Sequence, residues 1–336
     1  MSLKLCSRNP DKSEPGSRLH SKTSASYGLA KVPIQALSGL LRRMTRQIVS
    51  VACQTYLLLG WNIVNSLAAE PTRLTHDGLF KCTPVICSAG REIVYSELSN
   101  PTLYRLMKLS IDEGITRPLH PEAQTSEFEP AFSADGKLFA YLRTSGVLRV
   151  NLMIVGENGE KLGDIPPGPG FSGMRSPAIS PDHSLVAYSF AERGRQNLIT
   201  IRPDGTERQI LADSTGINNW PSFSPDGHLM IFASSRDGDF EIYRMNVDGN
   251  DIRRLTTSPS QDIRPRFSPD SKRIVFTSHR DGNAEIYVMN ADGTEVRRIT
   301  NSMERDDYPD WLPNGHQLVY VAEHNGRHDL SLVSID

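Results

Sequence analysis

Cysteine is scarce, with four in 336 residues, which excludes a disulfide-stapled scaffold. No apolar stretch has the length and purity of a certain membrane span; the best candidate, Ile48 to Val64, is interrupted by Gln54, Thr55 and Asn62. No G-x-S-x-G nucleophile turn occurs. Gly170-Phe171-Ser172-Gly173 comes nearest, with the wrong spacing and in a Pro/Gly-rich stretch, so a serine hydrolase would lack its nucleophile. Excess charge of one sign is also missing from the total, which is −2. That average hides an asymmetry: residues 1–68 carry nine Lys/Arg against two Asp/Glu, leaving 28 against 37 for the rest. A body that acidic argues against nonspecific nucleic-acid binding. With 38% hydrophobic and 23% charged residues, the chain belongs among globular proteins.

Residues 1–43 hold eight serines and eight Lys/Arg but only Asp11 and Glu14 as acids, too little apolar surface to order the segment. Residues 44–68 then read as a secretory signal: a basic start at Met44-Thr45-Arg46, the apolar run, and a small-residue exit with Ser66 and Ala68 at the −3 and −1 positions. Cleavage is expected after Ala68. Signal peptides begin near their apolar core, so translation from Met44 would make residues 1–43 a misassigned extension. Two alternatives stay open, an uncleaved membrane anchor and an organelle transit peptide. Cys53 lies inside the apolar run and is read as part of it rather than as a lipidation site.

The remainder is one repeat in six copies. They start at Pro84 (PVICSAG), Pro130 (PAFSADG), Pro177 (PAISPDH), Pro221 (PSFSPDG), Pro265 (PRFSPDS) and Pro309 (PDWLPNG), spaced by 46, 47, 44, 44 and 44 residues. A period near 44 is that of a four-stranded propeller blade; a β-sandwich would show no fixed period. In the fifth copy Arg266–Ser268 is a short first strand entered through Pro265, Arg273–Ser278 (RIVFTS) the second and Glu285–Asn290 (EIYVMN) the third. An Asp292-Gly293 hairpin follows and Val296–Thr300 (VRRIT) is the fourth. Strands two and three are apolar on successive residues, as expected where both faces of a sheet are covered. The sixth copy ends without an R-x-[LI]-T strand, whereas Thr72-Arg73-Leu74-Thr75 matches Arg254-Leu255-Thr256 and Arg298-Ile299-Thr300. The fold expected is therefore all-β: a six-bladed β-propeller over residues 70–336, of four-stranded antiparallel blades, closed by an N-terminal strand that completes the last blade and leaves no open edge.

The pattern P-x-F-S-P-D-G, apolar strand, D-G-x-x-E-I-Y-x-M-N-x-D-G, R-x-L-T, clearest over residues 221–300, resembles the repeat of the TolB propeller family. Ser88-Ala89-Gly90 in the first copy and His183 in the third depart from it. TolB proteins have an amino-terminal α/β domain, for which there is no room between the export signal and the first blade, and they work in the periplasm within the Tol–Pal envelope system. The resemblance implies a periplasmic or secreted propeller that binds something, with envelope association. Related propellers gate prolyl-oligopeptidase-type peptidases, but those need a separate hydrolase domain with the nucleophile turn that is missing here. Others are carbohydrate lyases with a metal at the central face.

The residues offer little chemistry. His183, His228 and His316 occupy one repeated turn, and His279, His324 and His328 another, so each set is spread around the rim rather than converging on one ion. Asp237-Gly-Asp-Phe-Glu241 and Asp281-Gly-Asn-Ala-Glu285 lack calcium-loop spacing and read as turn chemistry. Cys82 and Cys87, five apart around a strand, are out of disulfide reach and are expected as buried free thiols. The variable positions are the three residues before each conserved proline: Lys81-Cys82-Thr83, Glu127-Phe128-Glu129, Met174-Arg175-Ser176, Asn218-Asn219-Trp220, Asp262-Ile263-Arg264 and Asp306-Asp307-Tyr308. A constant frame with changing contents is the pattern of a recognition surface at a channel mouth. Glu127, Asp262 and Asp306, with Asn218, are candidates for a polar ring; Trp220, Arg264 and Tyr308 are candidate anchors. The expectation is a noncatalytic, monomeric binding module that needs no cofactor and no metal and takes a protein, small-molecule or glycan ligand but no nucleic acid. The alternative is a lyase-like enzyme acting on carbohydrate at the channel mouth.

Overall fold

The computed structural model describes residues 70–335 apart from 147–148, 168–172, 193 and 213; the basic extension (1–43) and the export segment (44–68) lie outside the described residues. Among the described residues twenty-four strands form six four-stranded antiparallel sheets. Strand β1 is Thr72–Arg73. Blade 1 comprises β2 (Lys81–Cys87), β3 (Glu92–Asn100), β4 (Leu103–Ser110) and β5 (Ile115–Pro118). Blade 2 comprises β6 (Glu127–Phe132), β7 (Leu138–Gly146), β8 (Arg149–Gly156) and β9 (Lys161–Ile165). Blade 3 holds β10 (Met174–Ile179), β11 (Val186–Glu192), β12 (Arg195–Ile201) and β13 (Gln209–Ala212), and blade 4 holds β14 (Asn218–Phe223), β15 (Leu229–Ser234), β16 (Glu241–Asn246) and β17 (Arg253–Arg254). Blade 5 is β18 (Asp262–Phe267), β19 (Arg273–Ser278), β20 (Glu285–Asn290) and β21 (Arg297–Arg298). Blade 6 is β22 (Asp306–Trp311), β23 (Gln317–His324) and β24 (Arg327–Ser334), with β1 as its outer strand. The innermost strands β2, β6, β10, β14, β18 and β22 touch in ring order, and β22 returns to β2.

The doubly apolar strands follow from this arrangement. Six hydrophobic clusters fill the six interfaces between neighbouring blades. Along β19, Ile274 and Phe276 pack toward blade 4 while Val275 packs toward blade 6. Successive side chains of a strand point to opposite faces, and here each face meets a different neighbour.

The turn after the inner strand is built by Ser-Pro-Asp-Gly in blade 4 and by close variants of it in blades 2, 3 and 5. Ser224 Oγ bonds Asp226 at 2.5 Å and accepts from Leu229 N at 2.9 Å, while Asp226 accepts from His228 N at 3.0 Å. Serine and aspartate supply the side-chain acceptors such turns use. The third turn position is left-handed in every blade that carries this turn, and Ser271 (φ 61°) and His183 (φ 62°) occupy it without glycine's freedom. Gly293 at the Asp-Gly hairpin (φ 90°) is required twice over, because a Cβ there would lie 2.7 Å from the Leu255 carbonyl oxygen of the previous blade.

Ring closure matches the sequence expectation. Thr72 pairs with Leu332 and Arg73 with Ser331, and Leu74 N donates to Leu330 O at 2.7 Å. The clamp of blades 4 and 5 is reproduced across this seam. In blade 5, Thr300 Oγ1 donates to Glu285 Oε2 at 2.5 Å and accepts from Ile286 N at 3.0 Å, while Arg298 donates to the same carboxylate at 2.8 Å. In blade 6, Thr75 Oγ1 donates to Asp329 Oδ1 at 2.8 Å and accepts from Leu330 N at 3.0 Å, and Arg73 bonds the same carboxylate. Cys82 and Cys87 form no disulfide and are half-buried rather than fully enclosed. Burial pushes the Cys82 thiol up to about 11.

Candidate ligand-binding channel

The inner strands begin about four residues earlier than the proline-led pattern suggests, and the proline sits inside each strand. A bulge makes this possible. In β18 and β19, Ile263 faces Thr277 but the next aligned pair is Arg266 with Val275, so one extra residue is inserted on the inner strand. The same shift occurs in all six blades. Proline lacks an N–H for the ladder and is tolerated where a bulge interrupts it. The residue before each proline is left-handed: Thr83, Glu129, Ser176, Trp220, Arg264 and Tyr308, with φ between 50° and 56°. None is glycine, and a non-glycine residue held there costs on the order of 1–2 kcal/mol. Bulges re-aim side chains, and these six converge on the axis, where they line a waist of about 20 Å³.

Beyond the waist the channel widens into a chamber of about 310 Å³ among the ends of the inner strands and the Ser-Pro-Asp turns. Its wall is largely apolar, including Ile86, Phe132, Ile179, Phe223 and Trp311; Arg266 and Asp310 are its charged members. Arg266 also lines the waist, so the two spaces are continuous.

At the waist Glu129 is buried and satisfied. Its carboxylate accepts from Arg175 Nε at 2.6 Å and from Ser176 N at 2.5 Å, and this charge holds Arg175 above the ordinary guanidinium range. Arg264 lies between two rings, its Cζ 4.9 Å from the Trp220 centroid and 4.1 Å from that of Tyr308, an arrangement that favours a desolvated cation. Its Nη1 forms an ion pair with Asp307 Oδ1 at 3.2 Å, but without hydrogen-bond geometry; neither Nε nor Nη1 of Arg264 makes a hydrogen bond, although both are enclosed. Asp307 takes its own hydrogen bonds from Thr277 Oγ1 at 2.8 Å and from Arg305. Burial pushes the Asp307 carboxyl up, but the charges of Arg264 and Arg305 outweigh it and hold the group below the usual carboxylate range. Burial depresses Arg266 and raises Asp310, each opposed by the other's charge.

The structure brings together three of the sequence-derived candidates, Trp220, Arg264 and Tyr308. Glu127, Asn218, Asp262 and Asp306 are placed elsewhere. They open their inner strands as buried residues with partners inside their own blades or in the preceding one. Asp262 pairs with Arg280 Nη2 at 2.8 Å, Asn218 Oδ1 accepts from Arg236 at 3.0 Å, and Glu127 bonds His120 Nδ1 at 2.6 Å. Asp306 is pushed up to about 7, first by burial and then by the charge of Glu285. Sequence reasoning missed Thr83, Glu129 and Ser176 as channel residues, although the repeat offset that selects Trp220, Arg264 and Tyr308 selects them too. Arg266 and Asp310 follow the conserved proline, at positions of Arg266-Phe267-Ser268 and Asp310-Trp311 assigned to scaffold. Among the described residues no group of three or more His, Cys, Asp or Glu is placed to hold a metal ion, and none of their helices is long and apolar enough to cross a membrane.

Residues 170–336 match the model of the TolB beta propeller domain. The fold is similar to that of solved structures of a TolB from Agrobacterium tumefaciens, at 25% identity over 68% of this chain and 83% of that one (TM-score 0.58), and of TolB from Acinetobacter baumannii, at 21% over 74% and 65% (TM-score 0.61). An oligogalacturonate lyase in complex with manganese shares the fold at 16% identity over 76% of each chain (TM-score 0.53). No curated protein matches the sequence. The chain is a TolB-like β-propeller.

Proposed function

We propose that this protein is an exported, noncatalytic binding module that engages a protein or small-molecule ligand, glycans included, at its axial channel. The observation that supports this most strongly is the ring of six left-handed bulges. Six unlike side chains are held at a conformational cost, all aimed at one axis, in blades that otherwise repeat. Strain kept at every equivalent position points to use of those side chains. Trp220, Arg264 and Tyr308 are the residue types that dominate binding energy when enclosed. Export through residues 44–68, with cleavage after Ala68, would place the propeller in the periplasm or outside the cell, as a monomer that associates with the envelope.

The test has two arms. Purified protein is used to capture ligands from envelope extract, alongside a Trp220→Ala/Tyr308→Ala variant of unchanged melting temperature. Partners held by the parent and lost by the variant are expected; a variant that keeps every partner overturns the placement of the site. In parallel, oligosaccharides are incubated with the protein with and without added divalent metal. Bond cleavage would overturn the noncatalytic reading in favour of a carbohydrate-acting enzyme. Cell fractionation with N-terminal sequencing tests export, the expected mature end being Ala69.

A further inference from the structure

The enclosed charges of the channel answer one another. Arg264 faces Asp307, and Arg266 lies within the fields of Asp310 and Glu129. Their hydrogen bonds are not equally complete. Asp310 accepts from Trp311 N at 3.0 Å and Ile86 N at 3.3 Å, and Glu129 from Arg175 and Ser176. Of the five N–H donors a guanidinium carries, Arg266 uses one among the described residues, in a long bond from Nη1 to Pro221 O at 3.3 Å. Unlike Nε and Nη1 of Arg264, its unbonded nitrogens are not sealed inside protein. Arg266 lines both the waist and the chamber, so these donors border the channel space. Its charge is met and its donors are spare.

Spare donors without spare charge call for an uncharged acceptor. An anion at Arg266 would meet Asp310 and Glu129, and a cation would meet Arg266 and Arg264. Either ion would also give up its hydration in a chamber whose wall is largely apolar. The wall limits how many oxygens are useful. Apart from Arg266 and Asp310 its polar side chains are Ser222 and Ser224, both buried, and Ser224 Oγ is engaged in its turn. A body with many hydroxyls would lose hydrogen bonds to water there, whereas an apolar body gains by displacing water that such a wall holds weakly. The chamber of about 310 Å³ takes about ten non-hydrogen atoms at about 30 Å³ per small group. We propose that the chamber binds a small uncharged carbonyl compound with an apolar body, the carbonyl oxygen accepting from Arg266 and the body lying among Phe132, Ile179, Phe223 and Trp311. This rests on the reading of the channel as a binding site and names the chemistry of its ligand.

Acetophenone is the probe. Its comparators are α-methylstyrene, in which a methylene group replaces the carbonyl oxygen, and the ions benzoate and benzylammonium. Each is titrated into the full chain by calorimetry. A hydrogen bond from a charged donor is worth about tenfold in affinity. Acetophenone is therefore expected to bind saturably, about tenfold more tightly than α-methylstyrene and more tightly than either ion. In Arg266→Met the ketone and the hydrocarbon are expected to bind equally. The proposal is overturned if the parent binds α-methylstyrene or either ion as tightly as acetophenone, or if the ketone preference survives Arg266→Met. Absence of saturable acetophenone binding overturns it too. If Arg266→Met does not fold, Ala134→Trp, at an exposed turn position lining the chamber, should exclude acetophenone, and unchanged affinity there overturns the proposal equally. Failure of acetophenone while Trp220- and Tyr308-dependent capture persists removes this ligand assignment and leaves the binding-module reading standing.

Discussion

Replacing Thr75 by valine tests whether the N-terminal strand seals the ring. The two side chains have nearly the same shape, so packing is kept and only the hydroxyl is lost. Two buried groups then lose partners: Asp329 Oδ1, now bonded at 2.8 Å, and Leu330 N, now bonded at 3.0 Å. Asp329 and Thr75 are both buried, so water cannot replace the hydroxyl cheaply. Each unmet buried group costs about 1–3 kcal/mol. The expected loss is about 2–6 kcal/mol, a large share of the 5–15 kcal/mol typical of a folded domain. Thr300→Val provides the internal standard, because it removes the same pair of bonds, to Glu285 and from Ile286 N, in a blade whose four strands are continuous in sequence. Urea unfolding followed by circular dichroism should give similar midpoint shifts for the two variants. Deleting residues 70–76 should exceed both, since Leu74 and the β1 ladder go as well. If Thr75→Val stays within about 0.5 kcal/mol of the parent, as a surface substitution would, while Thr300→Val shows its full cost, the seam contributes nothing to closure.

Two further outcomes follow from local chemistry. The Asp306 carboxyl is pushed up to about 7 in the folded protein, above its value near 3.9 in an unfolded chain. The folded state therefore holds this proton more tightly, and the contribution to stability is complete below about pH 4, falls as pH rises through the window to about 7, and is level above it. Asp306→Asn should flatten this part of the pH–stability curve and stabilise the protein by up to about 3–4 kcal/mol at pH 8; an unchanged pH profile in denaturant titrations would refute the assignment. Ser271→Gly should raise stability by about 0.5–1 kcal/mol, because serine is left-handed at a turn position that glycine fills without strain; a lower urea midpoint would contradict it.

The positions of the sequence-derived candidates show where sequence reasoning stops. Trp220, Arg264 and Tyr308 stand third in their triplets and reach the channel. Asn218, Asp262 and Asp306 stand first in the same triplets and are enclosed between blades. Both sets were equally visible as variable positions before a conserved proline. What separates them is the bulge, a property of two strands paired out of step, and its left-handed residue, which turns one side chain of the three toward the axis. Read along one strand, the pattern places the proline at the strand's start, because the missing N–H is simplest to accommodate there.

Six blades, the doubly apolar second and third strands, the serine–aspartate turns and the borrowed strand at Thr72–Arg73 were determined by the sequence alone. Each is encoded by residues within one period, or by one period lacking what another has to spare. The convergence of six unlike side chains and the chamber beyond them were decided only in the tertiary structure. They arise from groups 44 or more residues apart, and their mutual distances exist only once the ring has closed.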